Sequence, residues 1–178
     1  MKRLIYLLPI LLAACSAKQN PVKPTVLVTD LTQGTITYYG EYYKGLPQNV
    51  VSLDLYSAGI SFDDKGYVQG SGTNLYISDV FIPQSDTILT EGIYQCDTTG
   101  TERTFLPGMD FENNPTGTYI LRIEDAQIAG LMLCSDSSFV FTQAGDTTDI
   151  QFNLIADKQK YKLHFRGVLK YEDGRQHL

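Results

Sequence analysis

Two clusters of side chains in this chain have the types and the spacing to bind something. The first is Tyr38-Tyr39-Gly40-Glu41-Tyr42-Tyr43. A tyrosine joins an apolar ring to a polar tip, which suits stacking on sugars and anchoring of protein partners. Neighbouring side chains of a strand point to opposite faces, so some of these rings stay exposed, and Tyr39, Tyr42 and Tyr43 are the binding candidates. The plainer alternative is that one face of the run builds a core and the other caps the sheet against solvent.

The second cluster is Lys158, Lys160, Lys162, His164, Arg166 and Lys170, all at even positions and interrupted only by Val168. At a period of two these residues form a basic stripe on one face of a strand, in a protein of net charge −6. Lys160, Lys162, His164, Arg166 and Lys170 are therefore candidates for holding an anion, an acidic glycan or a phospholipid headgroup. The favoured reading is structural: lysines on an outer or edge strand discourage edge-to-edge pairing, and basic side chains pair with acids across a sheet.

Other chemistries find less support. A nucleophilic triad needs an imidazole held beside Ser or Cys, and of the two histidines His164 points outward while His177 sits at the C-terminus. Zinc needs Cys and His at ligand spacing, and Cys96, Cys134 and these histidines lack it, so neither a metal nor a cofactor is expected. Acidic residues do gather at turns: Asp63-Asp64, Asp110 with Glu112, Glu124-Asp125, Asp146 with Asp149. Calcium wants six to eight converging oxygens, and no segment follows the EF-hand pattern, so these acids read as turn residues and solvated charges. A glycosidase needs two carboxyls flanking one bond, and the chain has no Trp to line a sugar cleft. Gly70-Ser71-Gly72 lacks the Lys and the helix of a phosphate loop and reads as a turn. No catalytic residue is assigned.

The elements that position these residues are short strands. From Thr25 onward, runs rich in Tyr, Phe, Ile, Val and Thr alternate apolar with polar, a strand pattern. The expected strands are Thr25–Val28, Gly34–Tyr43, Val50–Tyr56, Asn74–Phe81, Gly92–Cys96, Thr118–Ile123, Ala129–Cys134, Ser138–Thr142, Thr148–Ala156 and Lys160–Lys170. Turns fall at Asp63-Asp64-Lys65-Gly66, Gly70-Ser71-Gly72, Pro107-Gly108 and Asn113-Asn114-Pro115, where Gly and Asx side chains fit the backbone. The clearest hairpin is the last, with Ile150, Phe152, Leu154 and Ala156 on one face and Tyr161, Leu163, Phe165, Gly167, Leu169 and Tyr171 facing them. No amphipathic helix is expected. The fold class is all-β: an antiparallel β-sandwich or flattened barrel of roughly eight to ten strands, with a closed calycin-like barrel as the alternative.

The N-terminal residues bear on location. Met1-Lys2-Arg3 precedes an apolar stretch from Leu4 to Leu12, the charged and hydrophobic regions of an export signal. The stretch is too short to span a bilayer, which takes about 20 helical residues. Leu12-Ala13-Ala14-Cys15 resembles the lipobox of bacterial lipoproteins, and that resemblance implies cleavage before Cys15 and acyl chains such as palmitate on it. An ordinary secretory signal with Cys15 as a plain residue is the alternative. The organisation is then a lipoprotein signal peptide (1–14), a lipidated Cys15 with a flexible tether to Pro24, and one β domain from Thr25 to Leu178. Losing Lys2 and Arg3 lowers the basic count from 14 to 12 against 20 acids, a net −8, and an acidic surface excludes nucleic acid as a partner. With Cys15 assigned to lipid, Cys96 and Cys134 remain in a compartment that permits disulfides. They form either a bridge, worth on the order of 3 to 4 kcal/mol, or two separately buried thiols.

Most of the mature chain also resembles small all-β lipoproteins of gut Bacteroidetes. The resemblance lies in Tyr38-Tyr39-Gly40, Val51-Ser52-Leu53-Asp54-Leu55, Gly66 with Gly70-Ser71-Gly72 leading into Leu75-Tyr76-Ile77, Gly92-Ile93-Tyr94, Gly117-Thr118-Tyr119 and Phe165-Arg166-Gly167-Val168-Leu169. It implies an all-β envelope protein and transfers no activity. The expected protein is an outer-membrane lipoprotein, anchored through Cys15, that binds a glycan or an envelope or host protein without catalysis. Ser16 is not the Asp that resembles an inner-membrane retention signal, and Ser16-Ala17-Lys18-Gln19-Asn20 lacks an acidic surface-export run, so the face of the membrane stays open. A carrier of a small apolar ligand inside a barrel and an unrecognised hydrolase are the alternatives.

Overall fold

Aromatic and β-branched residues at alternate positions, cut by Gly, Asp, Asn and Pro, fold as short strands because they pack well on a pleated surface. The computed structural model describes Leu27–His177; Cys15, the signal segment and the tether lie outside the described residues. Fifteen strands follow in order: β1 (Leu27–Leu31), β2 (Gln33–Gly40), β3 (Asn49–Tyr56), β4 (Ile60–Phe62), β5 (Val68–Gly70), β6 (Gly72–Ile82), β7 (Gly92–Cys96), β8 (Thr104–Phe105), β9 (Met109–Phe111), β10 (Asn114–Thr116), β11 (Thr118–Glu124), β12 (Gln127–Ala144), β13 (Thr147–Ala156), β14 (Gln159–Gly167) and β15 (Lys170–Asp173). A 3₁₀ turn, Gly174–His177, follows.

The fold is all-β and barrel-like, because its main ladder closes on itself. β6 pairs with β11, β11 with β12, β12 with β7, β7 with β8, and β8 with β6 again, a closed ring of five strands. From β12 the sheet extends through β13 and β14 to β1, and from β6 through β3 and β2 to β15. β1 and β2 are separated only by Thr32, so one stretch of chain joins the two wings, pairing first with β14 and then with β3. Most pairs are antiparallel, but β1 with β14, β2 with β15 and β7 with β8 are parallel, a departure from the all-antiparallel expectation.

The strand count also exceeds eight to ten, because the short pairs β4–β5 and β9–β10 and the strands β8 and β15 add to those expected. The expected Ala129–Cys134 and Ser138–Thr142 are one strand, β12, kinked by a bulge between Ser135 and Ser138. Asp136 takes a positive φ of 30° there, and the buried Ser137 hydroxyl accepts the Ile155 N–H at 3.1 Å. Three further hairpins turn on residue pairs with positive φ and no glycine: Glu112-Asn113, Asp125-Ala126 and Asp157-Lys158. This is the primed geometry whose twist suits two-residue hairpins.

Inside the barrel the rings of Tyr94 and Phe139 stack at 4.6 Å, with Phe105 and Phe152 packed against Phe139 at 5.3 and 5.5 Å. Leu53, Leu55, Leu75, Ile77, Ile150, Leu154, Leu163 and Phe165 complete this core. The final hairpin alternates as expected through Phe165, and Leu169 packs on the core. Tyr171, expected to face inward, is 46% exposed, because the chain breaks at Val168-Leu169 and β15 leaves β14 to pair with β2.

One close junction fixes where the chain enters β11 beside β12. Pro107-Gly108 crosses against Gly117-Thr118 and β12, with the Gly108 N–H donating to the Cys134 carbonyl at 2.7 Å and the Thr118 hydroxyl to the Leu106 carbonyl at 2.7 Å. A Cβ on Gly117 (φ +70°) would stand 1.9 Å from the Pro107 carbonyl oxygen, so only glycine lets the chains approach this closely.

Candidate functional site

Tyr39 points outward from β2 while Tyr38 enters the core. The strand ends sooner than expected. At Gly40 the backbone takes φ +67°, and Tyr42 and Tyr43 lie in the following loop, with the Tyr42 N–H bonded to the Gly40 carbonyl at 2.8 Å. The two rings are thus brought beside Tyr39 by a turn and not by alternation: Tyr39 and Tyr42 lie 5.9 Å apart, and Tyr42 and Tyr43 meet edge to face at 5.1 Å.

The sheet register brings further tyrosines to the same outer face. One cross-strand row reads Lys170, Thr35, Asp54, Tyr76, Tyr119, Leu133 across β15, β2, β3, β6, β11 and β12. Tyr76 and Tyr119 face each other at 5.2 Å. Tyr39, Tyr42, Tyr43, Tyr76 and Tyr119, with Ser78, Asp79, Pro115 and Thr116, line an open hollow of about 490 Å³. A second hollow of about 410 Å³ adjoins it, sharing Tyr76 and Tyr119 and adding Asp54, Tyr56, Asn74 and the apolar Leu121, Ile123 and Ile128. Together they form one groove along the outer face.

Two carboxyls punctuate the groove. Asp79 accepts from the Tyr43 hydroxyl at 2.9 Å and from Ser78 Oγ at 2.5 Å. Asp54 accepts from the Tyr56 hydroxyl at 2.5 Å and from Asn74 Nδ2 at 2.6 Å. Burial pushes the Asp54 carboxyl up from its ordinary range, against the pull of these two hydrogen bonds. Burial likewise raises the Tyr43, Tyr56, Tyr76 and Tyr119 phenols, so the groove presents neutral hydroxyls. Charge-neutral hydroxyls, two carboxyls and several ring faces give a surface that stacks on a ligand and hydrogen-bonds its edges.

The basic candidates are only partly gathered. Lys160, Lys162, His164 and Arg166 alternate outward along β14 as expected, with Lys160, Lys162 and Arg166 exposed. His164 sits between acids of both neighbouring strands, 3.1 Å from Asp149 on β13 and 3.8 Å from Asp30 on β1. Lys170 is not on this stripe. It belongs to β15, on the other wing of the sheet, and pairs with Glu172 at 2.6 Å. The loop acids serve their own turns: Asp63 accepts the Lys65 and Tyr67 N–H groups, and Asp125-Ala126 turns the β11–β12 hairpin. Cys96 and Cys134 are free thiols, not a disulfide; burial pushes Cys134 up to about 12 and raises Cys96 as well.

Sequence reasoning found Tyr39, Tyr42 and Tyr43 but missed Tyr76, Tyr119, Asp54 and Asp79. The available signal was the set of polar positions in β3 and β6, Ser52, Asp54, Tyr56, Asn74, Tyr76 and Ser78, which mark the outer face of strands whose other face is core. Compared with family models, curated proteins and solved structures, the chain matches none. Among the described residues no helix is long and apolar enough to cross a membrane.

Proposed function

We propose that this is a lipid-anchored envelope protein of the Bacteroidetes lipoprotein type that binds a glycan, without catalysis, in the tyrosine groove. The observation that carries this reading is the convergence of five tyrosines from β2, the loop after it, β6 and β11 on one open hollow. Ring faces stack on the apolar faces of sugars, and hydroxyl and carboxyl groups at the rim take up the sugar hydroxyls. The filled interior around Tyr94, Phe139 and Phe152 favours an outer binding face over an enclosed carrier site. The Leu12-Ala13-Ala14-Cys15 motif supplies the anchor to the outer membrane.

The test is a panel of immobilised oligosaccharides probed with the purified protein and with a Tyr76→Ala, Tyr119→Ala variant. Retention of at least one glycan by the parent and its loss in the variant is expected. A panel on which the parent binds nothing, or the variant binds equally, overturns the reading. For the anchor, metabolic labelling with a fatty acid is expected to mark the parent and to miss Cys15→Ser.

A further inference from the structure

The groove differs from ordinary protein surface in its charge. Among the described residues its lining includes Asp54 and Asp79 but no Lys, Arg or His. Among the described residues neither carboxylate has an ion-pair partner; the ion pairs fall elsewhere, at Arg122–Glu124, His164 with Asp30 and Asp149, Lys170–Glu172 and Arg175–Asp173. Lys170, the cation on the same cross-strand row, is engaged with Glu172. The donors that meet Asp54 and Asp79 are all neutral: Tyr56, Asn74, Tyr43 and Ser78.

Aromatic faces add to this field. A tyrosine ring is electron-rich on its face and attracts a cation placed over it. Around Asp79 the rings of Tyr39, Tyr42, Tyr43, Tyr76 and Tyr119 surround one hollow. Rings and carboxylates therefore favour positive charge in the same space, and among the described residues no basic side chain is there to satisfy it. An acidic sugar would bring its carboxylate against both Asp side chains, with no counter-charge from the described residues.

We infer that the groove selects glycans bearing protonated amino groups, with the ammonium placed near Asp79 among the tyrosine rings, and rejects acidic glycans. This inference rests on the groove being the glycan site proposed above. It makes Asp79 a specificity residue and leaves stacking to the tyrosines, so the two contributions separate by mutation.

The experiment titrates the purified protein with three oligosaccharides of equal length: a glucosamine oligomer, its N-acetylated counterpart and a uronic acid oligomer. Mildly acidic buffer keeps the amines protonated. The chain has 12 Tyr and no Trp, so tyrosine emission is an uncontaminated signal, and calorimetry provides the second measurement. The glucosamine oligomer is expected to bind about tenfold more tightly than the N-acetylated one, by cation–π and charge attraction, and the uronate most weakly. Asp79→Asn is expected to erase the preference for the amine, bringing the glucosamine and N-acetylated oligomers to within about twofold of each other. Raised salt is expected to weaken the glucosamine oligomer more than the neutral one, as screening requires. If the neutral and acidic oligomers bind as well as the amine, the charge inference falls and the glycan reading stands. If none of the three binds, the charge inference falls, and the glycan reading is decided by the oligosaccharide panel.

Discussion

The tyrosine groove spans one wing of the sheet and the adjoining ring strands β6 and β11, the basic stripe lies on β14 of the other wing, and they are built in contrasting ways. The stripe comes from one strand. Its residues follow one another along β14 at a period of two, and its histidine is flanked by acids of the adjoining strands. The groove draws on β2, β3, β6, β10, β11 and β12 and the loop after β2, and among the described residues its two carboxylates meet only neutral donors. A row of charge on one strand arises from alternation alone and serves to keep the outer face solvated, here on β14, whose two edges are already covered by β1 and β13. Convergence of like side chains from distant segments needs the whole fold, and a sheet needs no such gathering for its own stability. The groove is therefore the better candidate for function, although the stripe is easier to see in the sequence.

The sharpest way to break the comparison is at the backbone that holds each region. Gly117 fixes the junction beneath the Pro115–Thr116 side of the groove, and alanine there meets the Pro107 carbonyl oxygen at a positive φ. Gly117→Ala is expected to destabilise the protein by about 3 kcal/mol or more through strain and overpacking. Gly145, in the turn leading into β13, also has a positive φ but nothing within 4 Å of a new Cβ. Gly145→Ala is expected to cost only about 1 kcal/mol, the left-handed penalty alone. Urea melts compare the two, and similar losses would show that the groove junction carries no special constraint.

A smaller effect separates the charges by pH. The Asp54 carboxyl is raised by burial, so the folded state binds its proton more tightly than the unfolded chain. Its contribution to stability is fully present below the unfolded pKa and is lost as pH rises through the folded one. Thermal melts of Asp54→Asn against the parent are expected to show the variant gaining relative stability from acid toward neutral pH. A difference that stays constant would mean that the hydrogen bonds from Tyr56 and Asn74 balance burial, and one that runs the other way would mean that they outweigh it. The smallest effect belongs to the stripe: His164→Ala removes half-exposed pairs with Asp149 and Asp30 and is expected to cost under about 1 kcal/mol.

The same contrast explains what could be read from the sequence. The β13–β14 hairpin was legible because Ile150, Phe152, Leu154, Tyr161, Leu163 and Phe165 alternate without interruption, and period two maps directly onto burial. Tyr39, Tyr42 and Tyr43 were legible as an aromatic run. Their arrangement was not, because Gly40 turns the chain and ends the alternation that would have placed Tyr42 and Tyr43. Tyr76 and Tyr119 were hidden because only the register of β6 on β11 sets them face to face. Lys170 was misplaced because period two continues in sequence through Val168 while the chain moves to another strand. The turns at Glu112-Asn113 and Asp125-Ala126 were legible from Asn113-Asn114-Pro115 and Glu124-Asp125, but the strands β9 and β10 flanking the first were not, because three residues are too few to show alternation.

The measurement that bears most directly on the groove as the binding face pits it against the stripe. A glycan retained by the parent is titrated against Tyr76→Ala, Tyr119→Ala and against Lys160→Ala, Lys162→Ala, Arg166→Ala. The tyrosine variant is expected to lose affinity on the order of 30-fold, from about 1 kcal/mol per ring, and the stripe variant to stay within about twofold. A stripe variant that loses binding while the tyrosine variant keeps it would contradict the assignment and move the site to β14.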